Sequence, residues 1–401
     1  MPDSLRILFL TPRLPYPPEQ GAALRNFNLL RYLGRRHAVT LIGFDSNSAD
    51  VAGPLRDLCR EVLAIPSPRR SPALRLAQTF DPRPDLALRL RSARFAAAVA
   101  GLRRYRFDLV QCEALELFPY TRSLSLPLVL DAHNAEWRLQ ERAYQAARGR
   151  RDLAGTLYSA VQYRKLRRYE GAAVRSARWT IAVSAADRDD LLGVAGQARL
   201  SVIPNGVDAA AYAPLEHIAE EPDTILFAGK MDFRPNVEGA LWLASDIMPR
   251  VWAQRPRARL IVFGMQPAPA VQQLAGDQRV TVTGYVPGVD GERRALARAT
   301  VIAVPLLSGG GTRLKVLNAL AAGRAVVSTP LGAAGFALDD GRDLLLASDA
   351  AAFARAIVGL LDDQALRHRL GCAGRQTVLD RYTWEKLLPE LDSIYEEVLN
   401  N

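Results

Sequence analysis

Eleven short runs of β-branched and leucine-rich residues, each followed by a longer stretch with helical spacing, constrain this chain more than any other feature. They read LRILFLTP, HAVTLIGF, FDLVQC, LPLVLDAHN, WTIAVS and LSVIPN, then TILFAGK, RLIVFG, RVTVTGYV, TVIAVPL and AVVST. Apolar runs that do not alternate suit strands buried on both faces, and their regular exchange with helices predicts doubly wound parallel α/β sheets. Eleven strands overfill one such sheet, and 401 residues suffice for two cores. The segment 204–222, PNGVDAAAYAPLEHIAEEP, is rich in Pro, Ala and acid and separates the two series. The division expected is therefore a first Rossmann-like domain over 1–205, a second over 206–380, and a closing helical segment over 381–401.

Several classes of function are excluded early. No run of 18 apolar residues is present, and the start MPDSLRILFLTPRLP reads as a first strand rather than a leader, so a cytoplasmic location is expected. Cys59, Cys112 and Cys372 lie far apart without metal-type spacing and are read as packing residues. The chain has no G-x-S-x-G elbow, no H-E-x-x-H, no Walker lysine motif and no Cys/His cluster, so neither a metal nor a cofactor is expected. Net charge is +10, divided as +13 over residues 1–200 and −3 over 201–401. Compositional bias towards arginine would act on both halves, so the asymmetry points to an anionic partner such as a membrane surface or a lipid phosphate, with nucleic acid not expected. The arginine-loaded segment 68–106 is read as a solvated helical face.

In open parallel sheets, ligands bind beyond the carboxyl ends of the strands. The unusual segments of this sequence fall there. After TVIAVPLL comes SGGGTRLKVLNALAAG, residues 308–323. Glycine runs cost backbone entropy unless something must approach the main chain closely, and a helix start near Thr312 offers unpaired N–H groups, so Gly309, Gly310, Gly311, Thr312 and Lys315 form a candidate anion site. At 100° per residue, Leu314, Val316, Leu317, Leu320 and Ala321 share the side expected to pack, while Lys315, Asn318, Ala319 and Ala322 face the other way, as a cleft wall would. After TILFAG come Lys230 and, four residues on, Arg234, two cations suited to a departing diphosphate beside Gly229. After LPLVLDA come His133 and Asn134, within reach of sugar hydroxyls. Gly21 opens a helix carrying Arg25 and Asn28 and is a further candidate for close approach of a phosphate or sugar.

Taken together, ILFLTPRLPYPPEQGA, DAHNAEW, SVIPNGVD, FAGKMDFRPN, VTGYVP and GGGTRLKVLNALAAGRAVVST resemble the family 4 glycosyltransferases, with the GT-B arrangement of two facing Rossmann-like domains and a cleft between them. The resemblance runs over essentially the whole chain, including YTWEKLLPELDSIYEEVL, similar to the family's closing helix, and is nearest to the bacterial polysaccharide and lipid-linked glycan subgroup. It implies a retaining transfer from a nucleoside-diphosphate sugar, UDP or GDP, to a hydroxyl of a glycan, lipid-linked or small-molecule acceptor, while the basic first half is what points to a peripheral position on the inner face of the membrane. It also implies that Lys230 and Arg234 hold the diphosphate, that the glycine loop cradles phosphate and sugar, and that the main chain at Tyr285 and Val286 reads the base. His133 and Asn134 would lie near the reacting sugar and Gly21 near the phosphate. The family's two glutamates, eight positions apart, are here Gly310 and Asn318. A carboxylate at 318 would accept from both ribose hydroxyls, whereas asparagine offers one acceptor and no charge, a difference of about 1–2 kcal/mol in donor binding. Asn318 therefore leaves a non-catalytic sugar-nucleotide-binding partner subunit as the alternative, and another GT-B enzyme such as a nucleotide-sugar epimerase as a third reading.

Overall fold

The computed structural model describes residues 4–18, 21–45, 53–71, 74, 78–149, 152–284 and 288–400. They form two compact units, one of Met1–Ile203 with Leu388–Asn401 and one of Pro204–Leu387. The chain passes from the first unit to the second between Ile203 and Pro204, and residues 381–387 of the closing stretch belong to the second unit.

The first unit is built on β1 (Arg6–Thr11), β2 (Ala38–Asp45), β3 (Glu61–Pro66), β4 (Leu109–Glu113), β5 (Leu128–Ala132), β6 (Trp179–Ala182) and β7 (Leu200–Val202). Their order across the sheet is β3-β2-β1-β4-β5-β6-β7, and every pair is parallel. The second unit repeats this plan with β8 (Thr224–Ala228), β9 (Arg259–Phe263), β10 (Val280–Val282), β11 (Val301–Val304), β12 (Val326–Ser328) and β13 (Leu345–Leu346), ordered β10-β9-β8-β11-β12-β13. Both are Rossmann-like orders, in which the winding reverses once, between β1 and β4 and between β8 and β11. The crevice at such a reversal is where ligands bind.

Two strands escaped the sequence reading. β3 is an edge strand whose residues are all exposed or half-exposed, so EVLAIP carries no continuous apolar signal. β13 is two residues long and is held by Val327↔Leu345 and Ser328↔Leu346. The central strands, by contrast, are buried end to end, as parallel strands covered on both faces must be. Each sheet contributes to its own apolar core. Helices start where short polar side chains accept from early backbone N–H groups: Asp152 for Leu153–Ser176, Ser184 for Ala185–Ala195 and Asp349 for Ala350–Asp362. Cys59 and Cys112 are buried, but Cys372 is exposed on the helix Gln364–Arg381 and is not a packing residue. No helix among the described residues is long and apolar enough to cross a membrane.

Candidate functional site

In the second unit, β8 and β11 lie side by side at the reversal, and their carboxyl ends lead into Gly229–Lys230 and into the glycine loop. These segments meet through Lys315. Its Nζ donates to Asn236 Oδ1 at 2.7 Å, and Asn236 Nδ2 in turn donates to the Lys230 carbonyl at 2.8 Å. Gly229 makes this possible: a Cβ there would stand 2.7 Å from Lys315 Nζ and 2.8 Å from Asn236 Nδ2. The ammonium also lies 4.5 Å from the centre of the Phe227 ring. Burial pushes the Lys315 pKa down to about 7, and Arg313 adds to the fall against the attraction of Glu292.

The glycine loop is held from inside. Gly309 and Gly311 have φ of 119° and 69°, values that favour glycine. Arg313, only 8 % exposed, donates to the carbonyls of Gly310 and Gly311, so a residue given no role in the sequence reading is the clamp that shapes the loop. Thr312 Oγ1 accepts from Asn205 Nδ2 at 2.6 Å. The helix itself is Leu314–Ala321, two residues later than expected. The side read as a cleft wall is also buried: Asn318, Ala319 and Ala322 are covered along with Val316 and Leu320, and Lys315 is the member of that side left partly exposed. The helix packs on one side against β11 and β12 and on another against Gln364–Arg381.

The two cations expected at the diphosphate differ. Lys230 is partly exposed, with Nζ 3.4 Å from Asp232 Oδ2. Arg234 is the first residue of the helix Arg234–Trp242 rather than a loop residue; its side chain is 56 % exposed and its Nε lies 2.8 Å from Glu238 Oε1. Glu238 Oε2 also accepts from Ser308 Oγ at 2.6 Å. Arg234 is thus braced against its own helix, while Lys315 lies across the Lys230 loop.

Asn318 has a carboxylate beside it after all. Its Nδ2 donates to Tyr212 Oη at 2.9 Å and lies 3.4 Å from both carboxylate oxygens of Glu292, and Tyr212 donates to Glu292 Oε2 at 2.7 Å. Asn318 Oδ1 is buried without a hydrogen-bond partner. Neither Tyr212 nor Glu292 was legible as a site residue, because they lie 106 and 26 positions from Asn318. Tyr285 and Val286 lie outside the described residues.

In the first unit, β4 and β5 end in a buried polar cluster. Glu113 and Asp131 are opposite one another in the register. Arg25, on the helix that Gly21 opens, turns inward, with Nη2 2.8 Å from Asp131 Oδ2 and Nη1 donating to the Ile203 carbonyl at 3.0 Å. His133 Nε2 lies 3.0 Å from Glu113 Oε2. Burial opposes the imidazolium, but the Glu113 and Asp131 carboxylates outweigh it and raise the His133 pKa above its ordinary value. Asn134 Nδ2 donates to Glu136 Oε1 at 3.3 Å, and His133, Asn134, Glu136 and Glu170 line a small cavity. Burial lifts Glu136 to about 7 and Glu170 to about 8, the latter while it accepts the N–H groups of Glu136 and Trp137. Gly21 opens the helix Gly21–Leu33, and among the described residues beyond its own helix turn and chain neighbours nothing lies within 4 Å of where a Cβ would stand. Glu113, Asp131 and His133 bring ligand-type atoms within 4.8 Å of one another, but Arg25 already neutralises Asp131, a poor arrangement for a cation.

Residues 20–211 match the family model described as Glycosyltransferase Family 4, and residues 222–363 match one described as Glycosyl transferases group 1. The phosphatidyl-myo-inositol mannosyltransferase of Mycolicibacterium smegmatis is 32% identical over 203 residues, 49% of this chain and 51% of that protein. The Mycobacterium leprae protein of the same name is 30% identical over 203 residues, 49% of this chain and 53% of that one. The chain thus spans about half the length of the curated relatives it matches. Among solved structures, sucrose-phosphate synthase from Thermosynechococcus elongatus has a TM-score of 0.74 at 20% identity, covering 99% of each chain. Anabaena Alr3699/HepE in complex with UDP and glucose has a TM-score of 0.69 at 15% identity, covering 98% of this chain and 99% of that one. At these identities the structures speak for the fold.

Proposed function

This chain belongs to the family 4 glycosyltransferases and has their GT-B fold class of two Rossmann-like domains, and from that premise we propose that it transfers a sugar from a nucleoside-diphosphate donor, UDP- or GDP-linked, to an acceptor hydroxyl with retention of configuration. The observation that carries this reading is the Lys315–Asn236–Lys230 arrangement beside the glycine loop. A diphosphate leaving the anomeric carbon gains negative charge, and two ammonium groups with loop amides neutralise it without reorganisation. No resident metal is needed for that task. The acceptor's proton passes to a phosphate oxygen of the leaving group as the new glycosidic bond forms, so no enzymic nucleophile is required and positioning carries much of the rate. HepE, solved with UDP and glucose, lends support to a UDP-linked donor. The mannosyltransferases, which by name act on a phosphatidyl-inositol, favour a lipid-linked acceptor over a soluble glycan or small molecule.

Glu292 bears on the alternative of a non-catalytic binder. Next to Asn318 it accepts hydrogen bonds from Tyr212 and Asn318, and a carboxylate has acceptor capacity to spare for the vicinal diol of a ribose. The residue change at 318 therefore does not leave the region without a carboxylate, which favours the enzyme. The purified chain, given a panel of UDP- and GDP-sugars, is expected to hydrolyse or transfer at least one, with the product anomer read by NMR. Absence of binding to every member of the panel would overturn the reading.

A peripheral position on an anionic, cytoplasmic membrane face has its own support. Phe80, Leu153 and Leu157 are 85, 83 and 70 % exposed. Lys165, on the helix that carries both leucines, donates to the carbonyls of Thr79 and Asp81 and so ties the Phe80 turn to that helix. Arg164, Arg167 and Arg168 are exposed on the same helix, and apolar side chains amid arginine suit an anionic lipid surface. Co-sedimentation with phosphatidylglycerol vesicles at low salt, weakened in F80S/L157S, is expected; recovery wholly in the supernatant would count against it.

A further inference from the structure

The cluster around His133 carries an electrostatic requirement of its own. Glu113 and Asp131 are both completely buried. Asp131 has the Arg25 guanidinium, which leaves one buried negative charge to be balanced, and an unbalanced charge at such a place is strongly unfavourable. The groups that hydrogen-bond Glu113, His133 apart, are neutral among the described residues. Gln111 Nε2 donates to Glu113 Oε1 at 2.8 Å, and Gln111 Oε1 accepts from Tyr395 Oη at 3.1 Å. With its amide turned so that nitrogen faces the carboxylate, Asn26 donates to Glu113 Oε2 at 2.8 Å while its oxygen accepts from Thr11 Oγ1 at 2.9 Å. A proton on His133 completes the balance: two carboxylates, one guanidinium, one imidazolium. The titratable and charged groups facing the ring are Glu113 from β4, Asp131 from β5, Arg25 from the helix Gly21–Leu33 and Glu136 from the helix Glu136–Gly149, the last lifted to about 7 by burial, so Arg25 offsets only one of the two carboxylates that lie opposite one another. Backbone strain accumulates at the same spot, since Ala114, directly after Glu113, has φ 85° and ψ 149°, a region that side chains rarely occupy and that tends to mark functional sites.

We propose that Glu113 is a positioning residue that keeps His133 as an imidazolium, with Nε2 bound and Nδ1–H left as the ring's remaining donor, and that Gln111 and Tyr395 of the closing helix Glu390–Asn400 hold Glu113 to this task. The inference rests on the proposed transfer reaction for its purpose. His133 is then available to a phosphate or sugar oxygen as a cation and hydrogen-bond donor, and not as a base. Because the outer members are neutral, they orient the carboxylate without lending it charge.

The test is the ring of His133 in the full chain labelled with 15N-histidine, assigned among the four histidines by the signal lost in H133Q. In the unmodified protein, His133 is expected to titrate above the roughly 6.5 of an ordinary histidine. In E113Q its midpoint is expected to fall by about one unit or more, and Y395F should move it the same way by less. The alkaline limb of kcat should shift down with it in E113Q, an effect that lost packing alone would not produce. If E113Q does not fold, the unmodified protein and Y395F decide. A midpoint at or below the ordinary value, or one unmoved by E113Q, overturns the proposal. A raised midpoint in a protein that turns over no sugar nucleotide would leave the dyad standing and sink the transfer reading instead.

Discussion

Lys315 offers the sharpest test of the phosphate site, because its charge should depend on the ligand. With a pKa near 7 in the unliganded protein, its amine is about nine-tenths neutral at pH 8 by ordinary mass action. A diphosphate arriving within hydrogen-bonding range reverses the balance that burial imposed. Return to the ordinary 10.5 would correspond to roughly 4–5 kcal/mol of coupling between proton and ligand, at about 1.36 kcal/mol per unit. Binding of UDP or GDP at pH 8 should therefore take up close to one proton, and the affinity should fall about tenfold per unit of rising pH above 7. Calorimetric titration in two buffers of different ionisation enthalpy, such as HEPES and Tris, reads the uptake directly. Lys315→Met keeps the stem against Phe227 and should abolish the uptake, with a loss of affinity at pH 6 on the order of 10³-fold, the same coupling read by deleting the charge. The sign for stability is opposite to that for binding. The folded pKa is depressed, so the unfolded chain holds more protons between about pH 7 and 10.5, and this group makes the free protein more stable as pH rises through that window. Equal binding heats in both buffers, or an uptake that persists in Lys315→Met, would refute the assignment of Lys315 to the phosphate.

Three further expectations follow from buried charge. Arg25→Met leaves Asp131 buried and unpaired and should cost about 3–5 kcal/mol in urea unfolding of the first unit, with a loss below 1 kcal/mol counting against the pairing. Asn318→Glu places a second carboxylate against Glu292, so it should lower thermal stability rather than raise turnover, and N318E/E292Q should recover it; a gain of activity in the single variant would contradict the assignment to Glu292. Burial raises the Glu136 pKa to about 7, so the folded protein holds more protons than the unfolded one between about pH 4.5 and 7, and stability falls with rising pH through that window. Glu136→Gln should flatten this part of the profile, as urea midpoints at pH 5 and pH 8 would show.

By itself the sequence determined the kind of sheet, the two series of strands and the loops that could carry chemistry. Runs such as TILFA and TVIAVPL are buried on both faces, so their composition announces them, and the glycines at 309–311 are visible because a peptide backbone avoids them without cause. What remained illegible depended on partners brought together from far along the chain. An edge strand like EVLAIP has half its surface in water and therefore no apolar signature. Which partner Arg25 takes, whether Arg234 or Lys315 lies across the Lys230 loop, and whether Asn318 lacks a carboxylate or has Glu292 beside it are questions of which side chains share a volume. Sequence spacing cannot answer them, since burial and charge balance are properties of that volume and only the folded sheets create it.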